Sequence, residues 1–151
     1  MGEVIGFFHG GITVRDLDKS LSFYRDGLGL VQKFDRILNG PYLKVVLDLK
    51  FDVIRAAFLE IPGGGFIELL EYQGIERYPA ASRPCDFGGG HFCFYVSKVD
   101  ELAEKMFALG YKARSESCVD ITEGPNKGGR SLYLLDPDGY PIELFQRPAD
   151  G

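Results

Sequence analysis

No run of this 151-residue chain approaches the roughly 18 consecutive apolar residues that span a bilayer. Residues 1–8 also lack the basic stretch followed by an apolar one that opens a secretory leader. A membrane span is therefore not expected, and a cytoplasmic location is. Cysteine is scarce: Cys85, Cys93 and Cys118 are odd in number and lack zinc-finger spacing, which argues against a disulfide framework and fits reduced thiols. Positive charge is in deficit, with 17 Lys and Arg against 22 Asp and Glu and a formal charge of −5. Without a basic patch, nucleic acid and anionic membrane surfaces are not expected partners, and an anionic substrate has to be met by individual Arg or Lys side chains. Only two histidines are present.

What is there is repeated. Phe66-Ile67-Glu68-Leu69-Leu70 and Pro141-Ile142-Glu143-Leu144-Phe145 each set one carboxylate in an apolar strand. Each follows a unit of one pattern, His9-x4-Val14-x3-Asp18 and His91-x4-Val96-x3-Asp100, displaced by 82 positions throughout. Such self-similarity reads as a tandem duplication. With 45% hydrophobic residues, the chain can build one core or two half-domains sharing one, but not two independent catalytic domains.

Alternation places His9, Gly11 and Thr13 on one strand face and Ile12 and Val14 on the other. Asp16 caps a helix running to about Leu28, with Leu17, Leu21 and Tyr24 at helical spacing and Gly27 and Gly29 to end it. Strands follow at Val31 to Arg36, Val53 to Glu60 and Gly65 to Tyr72; Asn39 to Phe51 reads equally as strand, helix or loop. The second half repeats the order. His91, Cys93 and Tyr95 share a face, and a helix spans about Val99 to Leu109 with Val99, Leu102, Met106 and Leu109 on one stripe. Strands come next near Lys112 to Val119, Arg130 to Leu135 and Pro141 to Gln146, the last two joined by the turn Asp136-Pro137-Asp138-Gly139. The expected fold is α+β: two tandem βαβββ modules, about 5–75 and 91–147, linked by about 76–90, forming a curled mixed sheet around a metal site.

In such a fold His9, Glu68, His91 and Glu143 converge. Two neutral imidazoles and two carboxylates suit Fe, Mn, Co, Ni or Zn as a divalent ion and leave an octahedral ion two positions for water or substrate. An ion with open positions polarises a carbonyl or stabilises an enolate. A single strand His or Glu is ordinarily a hydrogen-bonded or solvated residue; one of each in both copies is the argument for ligands. Glu71 alternates away from Glu68 and reads as a surface charge, and Cys93 as a small buried residue rather than a reactive thiol. Thr13, Tyr95, Tyr133 and Phe145 line the pocket by the same alternation, or are ordinary packing. Residues 123–130 are glycine-rich without P-loop spacing, and form either a lid whose Lys127 or Arg130 meets a substrate anion or a plain surface hairpin.

These motifs resemble the vicinal oxygen chelate superfamily, which includes glyoxalase I, methylmalonyl-CoA epimerase, extradiol dioxygenases and bleomycin-resistance proteins. The resemblance rests on His9-Gly-Gly-Ile-Thr-Val14-x-Asp16-Leu-Asp-x-Ser20-Leu-x-Phe23-Tyr24, Gly65-Phe-Ile-Glu68-Leu, His91-x-x-Phe94-x-Val96 and Leu135-Asp-Pro-Asp-Gly-Tyr-Pro-Ile-Glu143-Leu. It implies metal ligands at His9, Glu68, His91 and Glu143, a set like that of glyoxalase I. Methylmalonyl-CoA epimerases usually have Gln where Glu68 stands, and common extradiol dioxygenases use two His and one Glu. The resemblance further implies a metal-dependent lyase or isomerase acting on a small α-oxygenated carbonyl compound through a metal-stabilised enediolate. Glu143, or next Glu68, is then the general base, and a homodimer is the expected assembly. The alternatives are an Fe(II)-dependent dioxygenase on a chelating aromatic substrate and, behind it, a metal-free binding or resistance protein.

Overall fold

The computed structural model describes residues 2–80 and 83–148, and the chain divides into two compact units, Met1–Tyr78 and Pro79–Gly151. The first unit follows the expected order. Strand β1 (His9–Thr13) leads into α1 (Leu17–Leu21), which continues as a π-helical turn (Ser22–Gly27). Strand β2 (Val31–Leu38), helix α2 (Pro41–Leu47), β3 (Val53–Glu60) and β4 (Phe66–Gln73) complete it. The sheet order is β1-β4-β3-β2, with β1 parallel to β4 and the other pairs antiparallel. In the second unit β5 (Phe92–Tyr95) is followed by α3 (Val99–Ala108), β6 (Lys112–Ala113), β7 (Val119–Asp120), β8 (Arg130–Leu135) and β9 (Pro141–Gln146). Its order is β5-β9-β8-β6, with β7 also on β8 and β5 parallel to β9. Each unit thus carries one mixed, open sheet.

Local chemistry sets the element ends. The Asp16 carboxylate accepts from the Lys19 amide, satisfying one of the N–H groups that a helix start leaves open. At the other end Gly29 adopts φ +80°, where a side chain is strained. In the β8–β9 turn, buried Asp136 accepts from the Asp138 and Tyr140 amides, and Gly139 takes φ +86°. One face of each sheet packs on its helix. Ile12, Val14, Leu17, Leu21, Leu59, Ile67 and Leu69 are buried in the first unit, and Val99, Met106, Leu132, Leu134, Ile142 and Leu144 in the second.

Two sequence expectations need correction, and one stretch left open is resolved. Lys112 to Val119 is not one strand: after Arg114, whose amide still donates to the Tyr133 carbonyl, residues 115–118 leave β8, because Ser-Glu-Ser-Cys has no alternating apolar set to hold it there. Leu109 is exposed, since α3 closes at Ala108 before Leu109 can join the buried stripe. The open stretch after β2 contains α2, started by Pro41 at its first turn. Tyr42, Val45 and Val46 of α2 are exposed, while Leu43 packs on Phe51, Ile54 and Ala56.

Candidate metal centre

In both units the sheet face away from the helix carries the candidate ligands. Parallel pairing of β1 with β4 sets Gly11 beside Glu68, and His9 Nε2 lies 3.1 Å from Glu68 Oε2. Parallel pairing of β5 with β9 sets Cys93 beside Glu143, and His91 Nε2 lies 3.2 Å from Glu143 Oε2. The same half-buried pair is therefore built twice, at positions 82 apart for His and 75 apart for Glu.

The surroundings differ. His9 meets Phe8 and Phe58 edge-on, at centroid distances of 4.6 and 5.2 Å, and Phe58 stacks on Phe34. The His9 Nδ1 atom is buried without a hydrogen-bond partner among the described residues, so the ring's polar engagement runs through Nε2. Burial pushes the Glu68 carboxyl above its ordinary value, and His9 opposes that shift. Around Glu143 there are hydroxyls instead: Ser131 Oγ donates to Oε1 at 2.9 Å, and the Tyr133 hydroxyl donates to Oε2 at 3.2 Å. That hydroxyl is also 3.2 Å from His91 Nε2. Burial, then the Glu143 charge, raises the Tyr133 phenol, which therefore stays protonated at neutral pH.

The helices behind these strands are tied by matching contacts. Glu71 Oε2 accepts from the Leu17 amide at 2.7 Å, and Gln146 Oε1 from the Val99 amide at 2.8 Å. Glu71 is thus a partly buried helix-start acceptor and not the surface charge expected, because its strand face is the one the helix covers. Arg55 holds Asp35 through two bonds and Asp18 at 2.9 Å; Arg130 holds Asp100 at 2.9 Å and also Asp120. The Arg130 guanidinium is therefore engaged by two carboxylates, a different role from the substrate-anion contact expected of it. Sequence reading misses Ser131 and Arg55, and the ion-pair role of Arg130. Laying the copies over each other at a 75-residue offset reveals them, through Arg55 against Arg130 and Ala56 against Ser131.

The other expected residues are spread along the two faces. Thr13 is exposed at the end of β1, and Lys127 is exposed in the loop after β7. Tyr95 is exposed with the Arg147 guanidinium 3.9 Å over its ring, and Phe145 is buried packing beside it. Cys93 is exposed rather than buried, because the edge strand leaves that side open. Desolvation at the sulfur, and then Glu143, push its thiol to about 12, so it is no thiolate at neutral pH.

Within either unit the described residues bring together a pair, not a set, of His and carboxylate ligands. Each pair fits a divalent ion. Two donors about 2.1 Å from one ion and at right angles stand about 3.0 Å apart, close to the separations found here. Imidazole with carboxylate is also a donor set for Mn, Fe, Co, Ni or Zn.

The profile of the Glyoxalase/Bleomycin resistance protein/Dioxygenase superfamily matches residues 6–144. A 2-epi-5-epi-valiolone epimerase from an Actinomyces species is 29% identical over 96% of this chain and 81% of its own length. The lactoylglutathione lyase of Haemophilus influenzae is 30% identical over 93% of this chain and 92% of its own. Of the similar lactoylglutathione lyase of Arabidopsis thaliana, this chain spans 44%. In fold, a glyoxalase family protein from Bacillus cereus superposes with a TM-score of 0.82 at 21% identity, covering 98% of this chain and 97% of that one.

Proposed function

We propose, since the chain belongs to the Glyoxalase/Bleomycin resistance protein/Dioxygenase superfamily, that it is a metal-dependent isomerase or lyase moving a proton on a carbon beside a carbonyl group. The observation that carries this reading is the duplicated His–Glu pair, 3.1 Å across in one unit and 3.2 Å in the other. His9, Glu68, His91 and Glu143 are its ligands for one divalent ion, the two pairs being joined within one chain or between two copies in a homodimer. When bound, such an ion supplies Lewis-acid stabilisation of negative charge on the substrate oxygen.

The chain's own residues do the rest. A carboxylate of a His–Glu pair removes the α-proton and returns it to the adjacent or the same carbon, giving isomerisation in one case and epimerisation in the other. The names of the relatives, an epimerase and a lactoylglutathione lyase, support a small α-oxygenated carbonyl substrate. Lys127, in the exposed loop after β7, is the cation this reading assigns to a substrate anion, and Thr13 and Tyr95 end the strands β1 and β5.

Metal analysis of protein purified without chelator tests this, followed by proton NMR in D2O with 2-epi-5-epi-valiolone and the methylglyoxal–glutathione hemithioacetal. Stoichiometric metal with α-proton exchange or isomerisation is expected. His9→Ala and His91→Ala should each lower metal content and turnover together. Full metal occupancy and activity in both variants would refute the site, and substrate-dependent oxygen uptake would make the protein a dioxygenase.

A further inference from the structure

We propose that Ser131 and Tyr133 are positioning residues that fix the Glu143 carboxylate, leaving Glu68 as the one that takes and returns the substrate proton; this rests on the metal-dependent reading above. The two units supply the comparison. In the sheet registers Glu143 faces Cys93 on one side and Tyr133 on the other, while Glu68 faces Gly11 and Phe58. The offset of 75 residues that carries Glu68 onto Glu143 also carries Ala56 onto Ser131 and Phe58 onto Tyr133. Two hydroxyls in the second unit thus stand where the first has a methyl and a phenyl group.

Both hydroxyls are used, one on each carboxylate oxygen: Ser131 on Oε1 at 2.9 Å and Tyr133 on Oε2 at 3.2 Å. The last torsion of a glutamate is intrinsically soft, so its orientation depends on such partners. A ligand carboxylate held by hydrogen bonds at both oxygens stays in place, as partners behind a metal ligand commonly ensure. Glu68 has no such hold. Its cross-strand neighbour is a phenyl ring stacked on Phe34 and set edge-on to His9. Among the described residues, His9 Nε2 is the polar group within reach of its oxygens.

Glu68 can therefore swing toward substrate while surrendering one contact, where Glu143 would surrender those with Ser131, Tyr133 and His91 and the Cys93 thiol's as well. As the substrate C–H bond breaks, its electron pair moves onto the carbonyl oxygen and the proton forms an O–H bond on Glu68. That bond breaks again when the proton returns to carbon, with no net oxidation or reduction. This reverses the order of the two glutamates read from the sequence.

Co²⁺ titration followed by visible absorption tests the assignment, with far-ultraviolet circular dichroism confirming that each variant is folded. Ser131→Ala and Tyr133→Phe should each weaken Co²⁺ about 10-fold and alter its spectrum, whereas Phe58→Tyr, which gives Glu68 the missing hydroxyl, should tighten Co²⁺ and slow α-proton exchange. Glu68→Gln should retain Co²⁺ and lose exchange by at least 100-fold. Wild-type affinity and spectrum in both hydroxyl variants, or exchange that survives Glu68→Gln and vanishes in Co²⁺-loaded Glu143→Gln, would overturn the assignment alone. A wild-type protein that takes up no Co²⁺ would overturn the metal reading along with it.

Discussion

Glu71 and Gln146 do one job with different charge: each accepts a hydrogen bond from the first amide of a helix, Leu17 or Val99. The amide oxygen of Gln146 shows that a neutral acceptor suffices. Glu71→Gln is therefore expected to leave thermal stability nearly unchanged, while Glu71→Ala, which strands the Leu17 amide, should cost about 1 kcal/mol in urea unfolding. Equal losses in the two variants would mean that the charge matters and the acceptor does not. The candidate ligand residues themselves are readable from sequence, because His9, Glu68 and Glu143 sit in strands whose alternation separates them from Ile12, Ile67 and Ile142. Their neighbours are not. A serine or tyrosine in a strand says nothing about its acceptor until the register opposes Tyr133 to Glu143.

The two arginine clusters act on whole elements. Arg55 projects from β3 and joins Asp18 on α1 to Asp35 on β2; Arg130 projects from β8 and joins Asp100 on α3 to Asp120 on β7. The Arg55 hydrogen bond, and then its charge, hold Asp18 below its ordinary value, as the Arg130 hydrogen bond first holds Asp100. A carboxylate with a depressed native pKa binds fewer protons folded than unfolded. Its stabilisation is present above the unfolded value of about 4 and is lost as pH falls through the lower native value. Arg55→Met should therefore move the acid-unfolding midpoint upward, by roughly half a pH unit. Acid titration followed by circular dichroism measures this, and an unmoved midpoint would show the cluster to be without thermodynamic weight. Where apolar periodicity is strong, as in β3, β8 and β9, element bounds follow from sequence. Where it fails they do not: α2 presents Tyr42, Val45 and Val46 outward, and residues 115–118 carry no pattern that could mark the break between β6 and β7.

Over the whole chain, a metal that binds the folded state and not the unfolded one must stabilise it. Mn²⁺ at about 100 times its dissociation constant should add about 2.7 kcal/mol, and EDTA should remove that gain. Thermal midpoints indifferent to both would contradict the metal reading. The duplication is legible because the strands that carry the His–Glu pairs preserve it, but its unequal length is not. The offset falls from 82 at the histidines to 75 at the glutamates, a difference of seven residues. It arises after β2 and β7, whose last residues Leu38 and Asp120 are still 82 apart, and before Arg55 and Arg130, which are 75 apart. There the first unit has the seven-residue α2 and the second a glycine-rich loop, and neither segment carries a buried pattern that would align them.

The duplicated His–Glu pairs with unduplicated neighbours have a consequence for descent. In a symmetric pair of copies, any change helpful to one role would be diluted by the need to serve both. Here Gly11, Ala56 and Phe58 answer to one glutamate, and Cys93, Ser131 and Tyr133 to the other. Substitution in one triplet leaves the second untouched, so the lineage could try new substrates with half of its chemistry while the other half kept its grip.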